Sequence, residues 1–174
     1  AGAIFDITKL DYLNAQHMSN LDLNDFISYL KPFLENKGIE VEDHPKAELL
    51  IESMRSSANT FEGVASNLIC YYQDISAYNL KAIEKFIGNS VEILDDLKDR
   101  LTNLESWTEA SLDEVLLEYR SEKDLSVPKV NQPIRIALTG STNSPSLGMT
   151  MFLFKKDEVI RRINNLIDLV QSSS

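Results

Sequence analysis

The stretch from Asp22 to Asn36, DLNDFISYLKPFLEN, carries the clearest fold signal in the sequence. Its apolar side chains recur every three or four residues, a spacing that places them along one face of an α-helix. They are Leu23, Phe26, Ile27, Leu30, Phe33 and Leu34. Asp22 suits the N-cap of this helix, and Gly38 lies just past its expected end. Pro32, inside the run, predicts a bend or a break.

The same periodicity continues through most of the chain. Pro45 suits a first helical turn, and Thr60 and Asn79 suit N-caps. Ser111 and Glu114 have the spacing of a capping box. The apolar stripes comprise Leu49, Leu50 and Met54; Phe61, Val64, Leu68 and Tyr71; Ile83 and Ile87; Val91, Leu94, Leu97, Leu101 and Leu104; Leu112, Val115, Leu116 and Tyr119; and Val159, Ile163, Leu166, Ile167 and Val170. These patterns predict an all-α protein.

The segment Ile134–Leu138 is ambiguous by local pattern, because it also suits a short strand. Pro133 can open a helix there and Gly140 can close it. Both possibilities stay open at this level, and the helix is our prediction.

Composition is that of a soluble globular protein, with 43% hydrophobic and 25% charged residues among 174. No apolar run approaches the roughly 18 residues that span a bilayer, and no basic-then-apolar leader is present. The chain begins with Ala1 rather than Met, as a piece excised from a longer protein would. One cysteine, Cys70, excludes an intramolecular disulfide and is predicted to be a small buried residue. We predict a cytoplasmic monomer without membrane contact.

Charge is distributed unevenly along the chain. The net charge of −10 argues against nucleic-acid binding when taken whole. Residues 1–125, however, contain 11 Lys or Arg and 24 Asp or Glu, whereas residues 126–174 contain six and three. Composition changes at the same place, between Leu125 and Asn131. We therefore predict two packed helical subdomains, 21–125 and 126–174, with any phosphate-facing surface concentrated in the second.

No constellation for catalysis or metal binding is evident. His17 and His44 lie far apart and Cys70 has no nearby partner, so no metal site is predicted. Gly140 and Gly148 are too few and too distant for a phosphate-binding loop. Paired carboxylates lie on helix faces without basic or aromatic neighbours and are predicted to be solvated. We predict no catalytic residue and no cofactor in this chain.

Residues 131–147, NQPIRIALTGSTNSPSL, concentrate side chains that can recognise unpaired RNA bases. Gln132 and Arg135 can each place two hydrogen bonds on a base edge, and their spacing puts them on one side of a helix. The loop around Ser144 adds short donors and acceptors, and Leu147 adds an apolar edge for a base. The alternative is a capped helix whose Arg135 forms a surface ion pair.

Three blocks of sequence carry a resemblance to one family. The most specific is NQPIRIALTG at residues 131–140, with Ser144-Pro145 after it. The others are FDITKLDYLN at 5–14 and ESMR at 52–55. Lesser matches are Thr60-Phe61, Tyr71-Tyr72, Trp107-Thr108, Lys155-Lys156-Asp157 and Arg161-Arg162-Ile163. Together they resemble the C-terminal, anticodon-binding part of bacterial glutamyl-tRNA synthetases, over essentially the whole chain.

The resemblance implies a role for particular residues. Residues 1–20 would end a region that touches the tRNA stem, and the two predicted subdomains would bind the anticodon. Gln132, Arg135, Ser144 and Leu147 match positions that contact anticodon bases. Contacts with the stem or with phosphates would come from Lys9, Lys155 and Arg161.

The resemblance also implies what the full-length enzyme does. It would be a glutamate–tRNA ligase that joins glutamate to a glutamate-accepting tRNA in an ATP-dependent reaction. The ATP site and the catalytic residues would belong to an N-terminal half outside this chain, which would be inactive alone and would have that half as its partner.

Two positions depart from the family pattern, and one short segment imitates a signature of class I synthetases. Phe154 stands where the family usually has Gly, which predicts a different turn into the last helix. Ser57 stands where some members have Arg near the third anticodon base, so discrimination between glutamate and glutamine tRNA stays open. His17-Met18-Ser19-Asn20 is similar to the Lys-Met-Ser-Lys signature of class I synthetases but lacks its final cation. We interpret it as the end of a helix.

A second function class is an acidic helical module that binds a basic protein and no RNA. Overall composition favours it, and the motif at residues 131–147 opposes it. A shared face for Arg135, Lys155, Lys156 and Arg161 would favour RNA, and scatter would favour the protein partner.

Overall fold

The computed structural model describes the backbone of residues 7–88 and 90–173, with side chains from residue 14 onward within those ranges. Every regular element in these ranges is helical. The α-helices are α1 Ile7–Asn20, α2 Leu23–Glu35, α3 Ala47–Met54, α4 Phe61–Tyr72, α5 Leu80–Phe86, α6 Val91–Thr102, α7 Glu109–Lys123, α8 Val127–Thr139, α9 Leu147–Leu153 and α10 Lys156–Ser172, and a 3-10 helix spans Val41–Asp43. The predicted all-α class is confirmed, and α1 ends at Asn20, as interpreted from the sequence.

The chain divides into two compact units between Gln73 and Asp74. The boundary predicted from composition, between residues 125 and 126, lies inside the second unit, between α7 and α8, which pack against each other. The two boundaries differ because the predicted one follows a change in surface charge and polar composition. The boundary in the structure instead follows which helices bury their apolar faces against each other. As a division of binding roles, the boundary at 125/126 stays a prediction.

In the first unit, α2 and α3 both pack on α4. Asp22 and Thr60 cap α2 and α4 as predicted, accepting hydrogen bonds from Asp25 N and Gly63 N. Of the bend or break predicted at Pro32, the break does not occur, because α2 continues through Pro32 to Glu35 with Leu30 and Leu34 both buried in the core. That burial offsets the hydrogen bond that a proline cannot donate.

The start of α3 differs from the prediction. Pro45 precedes the helix, which begins at Ala47. The imidazole Nδ1 of the buried His44 accepts a hydrogen bond from Lys46 N. His44, Pro45 and Lys46 therefore form a turn that precedes the helix and is not part of it. Cys70 is half-exposed rather than buried, because Tyr71 takes the core position at this end of α4.

In the second unit, α8 packs against α5, α6, α7, α9 and α10. Helix α10 also packs on α6, and α7 packs on α9. The N-cap of α7 is Thr108, with Ser111 completing the capping box from inside the helix, rather than Ser111 with Glu114. Asn79 caps α5 as predicted. Because five helices pack against α8, most side chains from Pro133 to Leu138 are buried, whereas Gln132, Arg135 and Thr139 are half-buried.

Helix α8 contains the segment that was ambiguous in the sequence. The helix begins at Val127, six residues before Pro133, so Pro133 lies inside it rather than opening it. Pro128 occupies the second helical position, where a missing N–H costs little. Gly140 ends the helix as predicted, with φ of 76°.

None of the described helices combines the length and apolar composition that a bilayer crossing requires.

Candidate nucleic-acid interface

Arg135 and Ser144, two residues predicted to contact anticodon bases, lie in direct contact. The Arg135 Nε donates a hydrogen bond to Ser144 Oγ at 2.7 Å, and its Nη2 donates to the Pro145 carbonyl oxygen at 3.3 Å. Both side chains are half-buried. The contact joins α8 to the loop before α9, so the guanidinium is held in one orientation at the edge of the core.

A buried threonine contacts Ser144 and so supports the contact between Ser144 and Arg135. Thr150, in α9, is 0% exposed. Its hydroxyl lies 3.0 Å from Ser144 Oγ and donates to the Ser146 carbonyl oxygen at 2.9 Å. Thr150 thereby links Ser144 to the first turn of α9. Sequence reasoning missed it; its position four residues after the N-cap Ser146 was the available signal.

The loop between α8 and α9 is organised by its own hydroxyl groups. Thr139 Oγ1 donates to the Arg135 carbonyl oxygen at 2.9 Å and accepts from Ser141 N at 3.3 Å. Ser141 Oγ in turn accepts from Asn143 N at 3.3 Å. These bonds hold the backbone in place and leave the Asn143 side chain exposed to solvent.

Gln132 lies one helical turn before Arg135 on α8 and is half-buried. Its Oε1 is fully buried and accepts no hydrogen bond from any residue that the structure describes. An unsatisfied buried acceptor of this kind costs about 1–3 kcal/mol. A base could reach this acceptor only if the side chain moved outward, so the contact of Gln132 with a base stays a prediction.

Leu147 lies in the core rather than at a surface. It is 2% exposed and begins α9, whose next residue, Gly148, packs tightly on α7. A Cβ at Gly148 would overlap the carboxylate of Asp113. In this structure the apolar atoms of Leu147 serve packing, and its contact with a base stays a prediction that needs movement of α9.

The predicted phosphate contacts have different local environments. The side chain of Lys9 lies outside the described residues. Lys155 is the N-cap residue of α10 and is exposed. Lys156 Nζ donates to the Leu104 carbonyl oxygen at 2.8 Å. The contacts of Lys156 differ from those of Arg135 with Ser144 and Pro145, and a shared phosphate-facing surface for these cations stays a prediction.

Arg161 is held by carboxylates. It pairs with Glu158 at 2.7 Å and with Asp74. Glu158 and then Asp74 raise the pKa of Arg161, and Arg161 is the main cause of the lowered pKa of Glu158. A phosphate at Arg161 would have to displace these partners.

Arg162 has a structural role inside the fold, which its charge in the sequence did not indicate. It is 4% exposed, and its Nε donates to Glu158 at 2.6 Å. Phe154 lies against it and has φ of −89°, a conformation open to any residue. The turn into α10 therefore needs no glycine at this position.

Among the described residues, no group of His, Cys, Asp and Glu side chains could hold a metal ion.

A family model described as an anticodon binding domain matches residues 25–167, which cover part of each unit and include Arg135, Ser144 and Thr150. The chain belongs to this family of anticodon-binding domains. The match confirms the family resemblance drawn from NQPIRIALTG and its flanking blocks.

Curated relatives of the domain are glutamate–tRNA ligases. The glutamate–tRNA ligase of Myxococcus xanthus is 35% identical over 163 residues, which cover 92% of this chain and 34% of that protein. Glutamate–tRNA ligase 2 of Halorhodospira halophila is 29% identical over 174 residues, covering 99% of this chain and 37% of that protein. The chain thus spans about a third of the length of these relatives.

Solved structures share the fold of the domain. A glutamate tRNA ligase from Elizabethkingia meningosepticum, in complex with its amino acid, superposes with a TM-score of 0.84 at 23% identity, over 98% of this chain and 34% of that one. The glutamate-tRNA synthetase of Elizabethkingia anophelis gives a TM-score of 0.79 at 24% identity, over 97% and 33%. At these identities the likeness concerns the helical fold.

Proposed function

We propose that this anticodon-binding domain reads unpaired bases in the anticodon loop of a glutamate-accepting tRNA. It does so as part of a glutamate–tRNA ligase whose ATP-dependent chemistry takes place in a separate catalytic half. The domain itself supplies no catalytic residue. The observation that carries the proposal is the contact between Arg135 and Ser144, which the sequence resemblance assigns to base reading and which both lie within the family match.

The geometry around Arg135 supports recognition of a base by exchange of hydrogen bonds, in which the base edge replaces the present partners of the side chain. Arg135 is already oriented by Ser144 and Pro145, so little side-chain freedom is lost when a base edge takes over these bonds. Gln132 lies one turn away, and its buried acceptor would gain a donor if the side chain turned outward to meet a base. A base that failed to match would leave these groups unpaired, at about 1–3 kcal/mol for each lost contact.

The net charge of the chain shapes the affinity. At −10, most of its surface repels RNA, which restricts productive docking to the region around α8 and α10. We propose that the isolated domain binds weakly and with strong salt dependence, and that the catalytic half supplies further tRNA contacts. A monomer in the cytoplasm is part of the same proposal.

The experiment compares binding of labelled glutamate tRNA and of an anticodon-swapped tRNA at low salt. The variants are Arg135→Ala, Arg135→Lys and, as a matched control, Arg100→Ala, which removes an equal charge from a surface pair with Glu122. Preference for the native anticodon that is lost in both Arg135 variants and kept in Arg100→Ala is expected. Arg135→Lys is informative because lysine keeps the charge but loses the planar fork.

Equal binding of both tRNAs, unchanged by Arg135→Ala, would contradict base reading at this site. Absence of RNA binding, together with capture of a basic protein, would favour the acidic interaction module instead. The family match over residues 25–167 favours RNA binding over that second function.

A further inference from the structure

Arg120, near the end of α7, contacts α8 beside the proposed base-reading site. Its Nη1 donates a hydrogen bond to Asn131 Oδ1 at 3.1 Å, and both residues are half-buried. Asn131 lies four residues before Arg135 on α8, so these two side chains project from one face of the helix, about 5.4 Å apart along its axis. The guanidinium of Arg120 is thus bonded to a residue one helical turn from Arg135.

The charged residues that follow Arg120 on α7 face a different helix. Glu122 pairs with Arg100 at 2.6 Å and Lys123 pairs with Asp96 at 3.4 Å, and both partners belong to α6. Arg120 instead contacts α8. The end of α7 therefore presents paired charges toward α6 and a single cation toward the helix that carries the base-reading residues.

The positive charge of Arg120 has no carboxylate partner among the side chains that the structure describes. Four other arginines each pair with a carboxylate: Arg55, Arg100, Arg161 and Arg162. Acidic residues outnumber Lys and Arg by 27 to 17 in this chain, so carboxylate partners are plentiful. The neutral amide of Asn131 orients the guanidinium of Arg120 but leaves its full charge for another anion.

We propose that Arg120 contacts a backbone phosphate of the RNA whose unpaired base is read by Arg135. This inference rests on the proposed function. A base that reaches Arg135 brings its ribose and phosphate with it, and surfaces that bind single strands carry cations along the path of the backbone. A guanidinium suits a phosphate because its planar fork donates two parallel hydrogen bonds to phosphate oxygens. The bond to Asn131 holds that fork beside α8 before RNA binds.

The alternative is a purely structural role, in which Arg120 ties α7 to α8 and interacts favourably with the negative C-terminal end of α7. Two substitutions separate the roles. Arg120→Gln keeps a donor for Asn131 but removes the charge. Asn131→Asp keeps Arg120 but places a carboxylate against it, so the contact between the helices becomes an ion pair and the charge is neutralised.

The first arm of the test measures RNA affinity of the chain across salt concentrations. The probes are a labelled anticodon stem–loop of glutamate tRNA and an anticodon-swapped stem–loop. Arg120→Gln is expected to weaken binding of both about tenfold at low salt, because a phosphate contact is lost whatever the base. The slope of log affinity against log salt should fall by about one.

Two further variants control this arm. Arg120→Lys keeps the charge and is expected to keep the salt slope of the unmodified chain. Arg100→Gln removes an equal charge that is already paired with Glu122, and it should leave the slope unchanged.

The second arm measures the free energy of unfolding of the same variants in urea. Asn131→Asp is expected to retain stability, since the new carboxylate pairs with Arg120, and to weaken RNA binding as much as Arg120→Gln does. Affinity that instead followed stability from variant to variant would make Arg120 purely structural.

The outcomes separate this inference from the proposed function. Equal affinities and equal salt slopes for Arg120→Gln and Arg100→Gln would overturn the phosphate contact while leaving base reading by Arg135 intact. Loss of the preference for the native anticodon in Arg120→Gln, with the slope unchanged, would overturn it in favour of a contact with a base. Equal binding of both stem–loops, unchanged by Arg135→Ala, would contradict base reading, and a reduced slope in Arg120→Gln would still support a phosphate contact with RNA. Absence of any RNA binding would contradict both.

Discussion

The guanidinium carbon of Arg162 lies 4.6 Å from the centroid of the Phe154 ring, and Arg162 Nη1 donates to the Leu138 carbonyl oxygen at 2.7 Å. One buried side chain thus ties α10 to the end of α9 and to the last turn of α8. The Trp107 indole adds to this junction by donating to the Phe154 carbonyl oxygen at 3.2 Å. The junction stabilises the end of the helix that carries Arg135.

Arg162→Ala is expected to lower the free energy of unfolding by about 2–3 kcal/mol, because it leaves the Leu138 carbonyl and part of Glu158 without a donor. Arg161→Ala is the control. Its side chain is 44% exposed, and loss of its surface pairs is expected to cost less than about 1 kcal/mol. Urea unfolding of both variants measures the difference, and equal losses would show that burial of Arg162 is not important.

Gly140→Ala is expected to destabilise the second unit. The position has φ of 76°, and a Cβ there would lie 2.9 Å from Ile75 Cγ2 and 3.2 Å from the Ala77 carbonyl oxygen. Gly38→Ala provides a matched comparison, since Gly38 has φ of 71° with nothing within 4 Å of an added Cβ. Gly38→Ala should cost about 1 kcal/mol from backbone conformation alone, and Gly140→Ala should cost more. Thermal unfolding gives the ranking, and the reverse order would contradict it.

Thr150→Val is expected to weaken RNA binding without touching RNA. The substitution keeps the shape but removes the hydroxyl that contacts Ser144, so Arg135 loses part of its support. Thr150→Ser keeps the hydroxyl and should restore affinity while losing some packing. Measuring stability and RNA affinity together separates the two effects: a drop in stability with unchanged affinity would make Thr150 purely structural.

The first unit is expected to lose stability in alkaline solution as Tyr72 ionises. Burial, with Glu42 and Asp43 adding to it, raises the pKa of Tyr72 from 10.0 to about 12. The folded state therefore retains this proton after the unfolded chain has lost it, and stability falls between pH 10 and 12. Tyr72→Phe should flatten the fall in this range, whereas Tyr29→Phe, at an exposed position, should not. Urea unfolding at several pH values, with tyrosinate absorbance, provides the measurement; parallel curves for the two variants would argue against Tyr72.

Most of the candidate site was predictable as a list of residues but not as an arrangement. Gln132, Arg135 and Ser144 could be chosen because their side chains carry paired or short hydrogen-bonding groups in one segment. The contact between Arg135 and Ser144 depends on how α8, the following loop and α9 pack. The role of Thr150 depends on the same packing.

Some errors share one cause. Pro32 and Pro133 were given their usual local meaning, yet both lie inside continuous helices that bury apolar faces. Local preferences of a few kcal/mol lose to burial summed over a whole helix face. Leu147 and Arg162 could not be placed for a related reason, since periodicity alone does not identify which helix covers a given position.

The sequence alone determined the helical class, the caps at Asp22, Thr60 and Asn79, the helix end at Gly140 and the family, because these depend on short-range geometry and on linear motifs. Only the tertiary structure decided which charged and polar side chains are buried, as with Arg162 and Thr150, and which are half-buried against a partner, as with Arg135. The physical reason is that burial and hydrogen-bond partners come from residues far apart in the chain, and these are brought together only by packing of the helices.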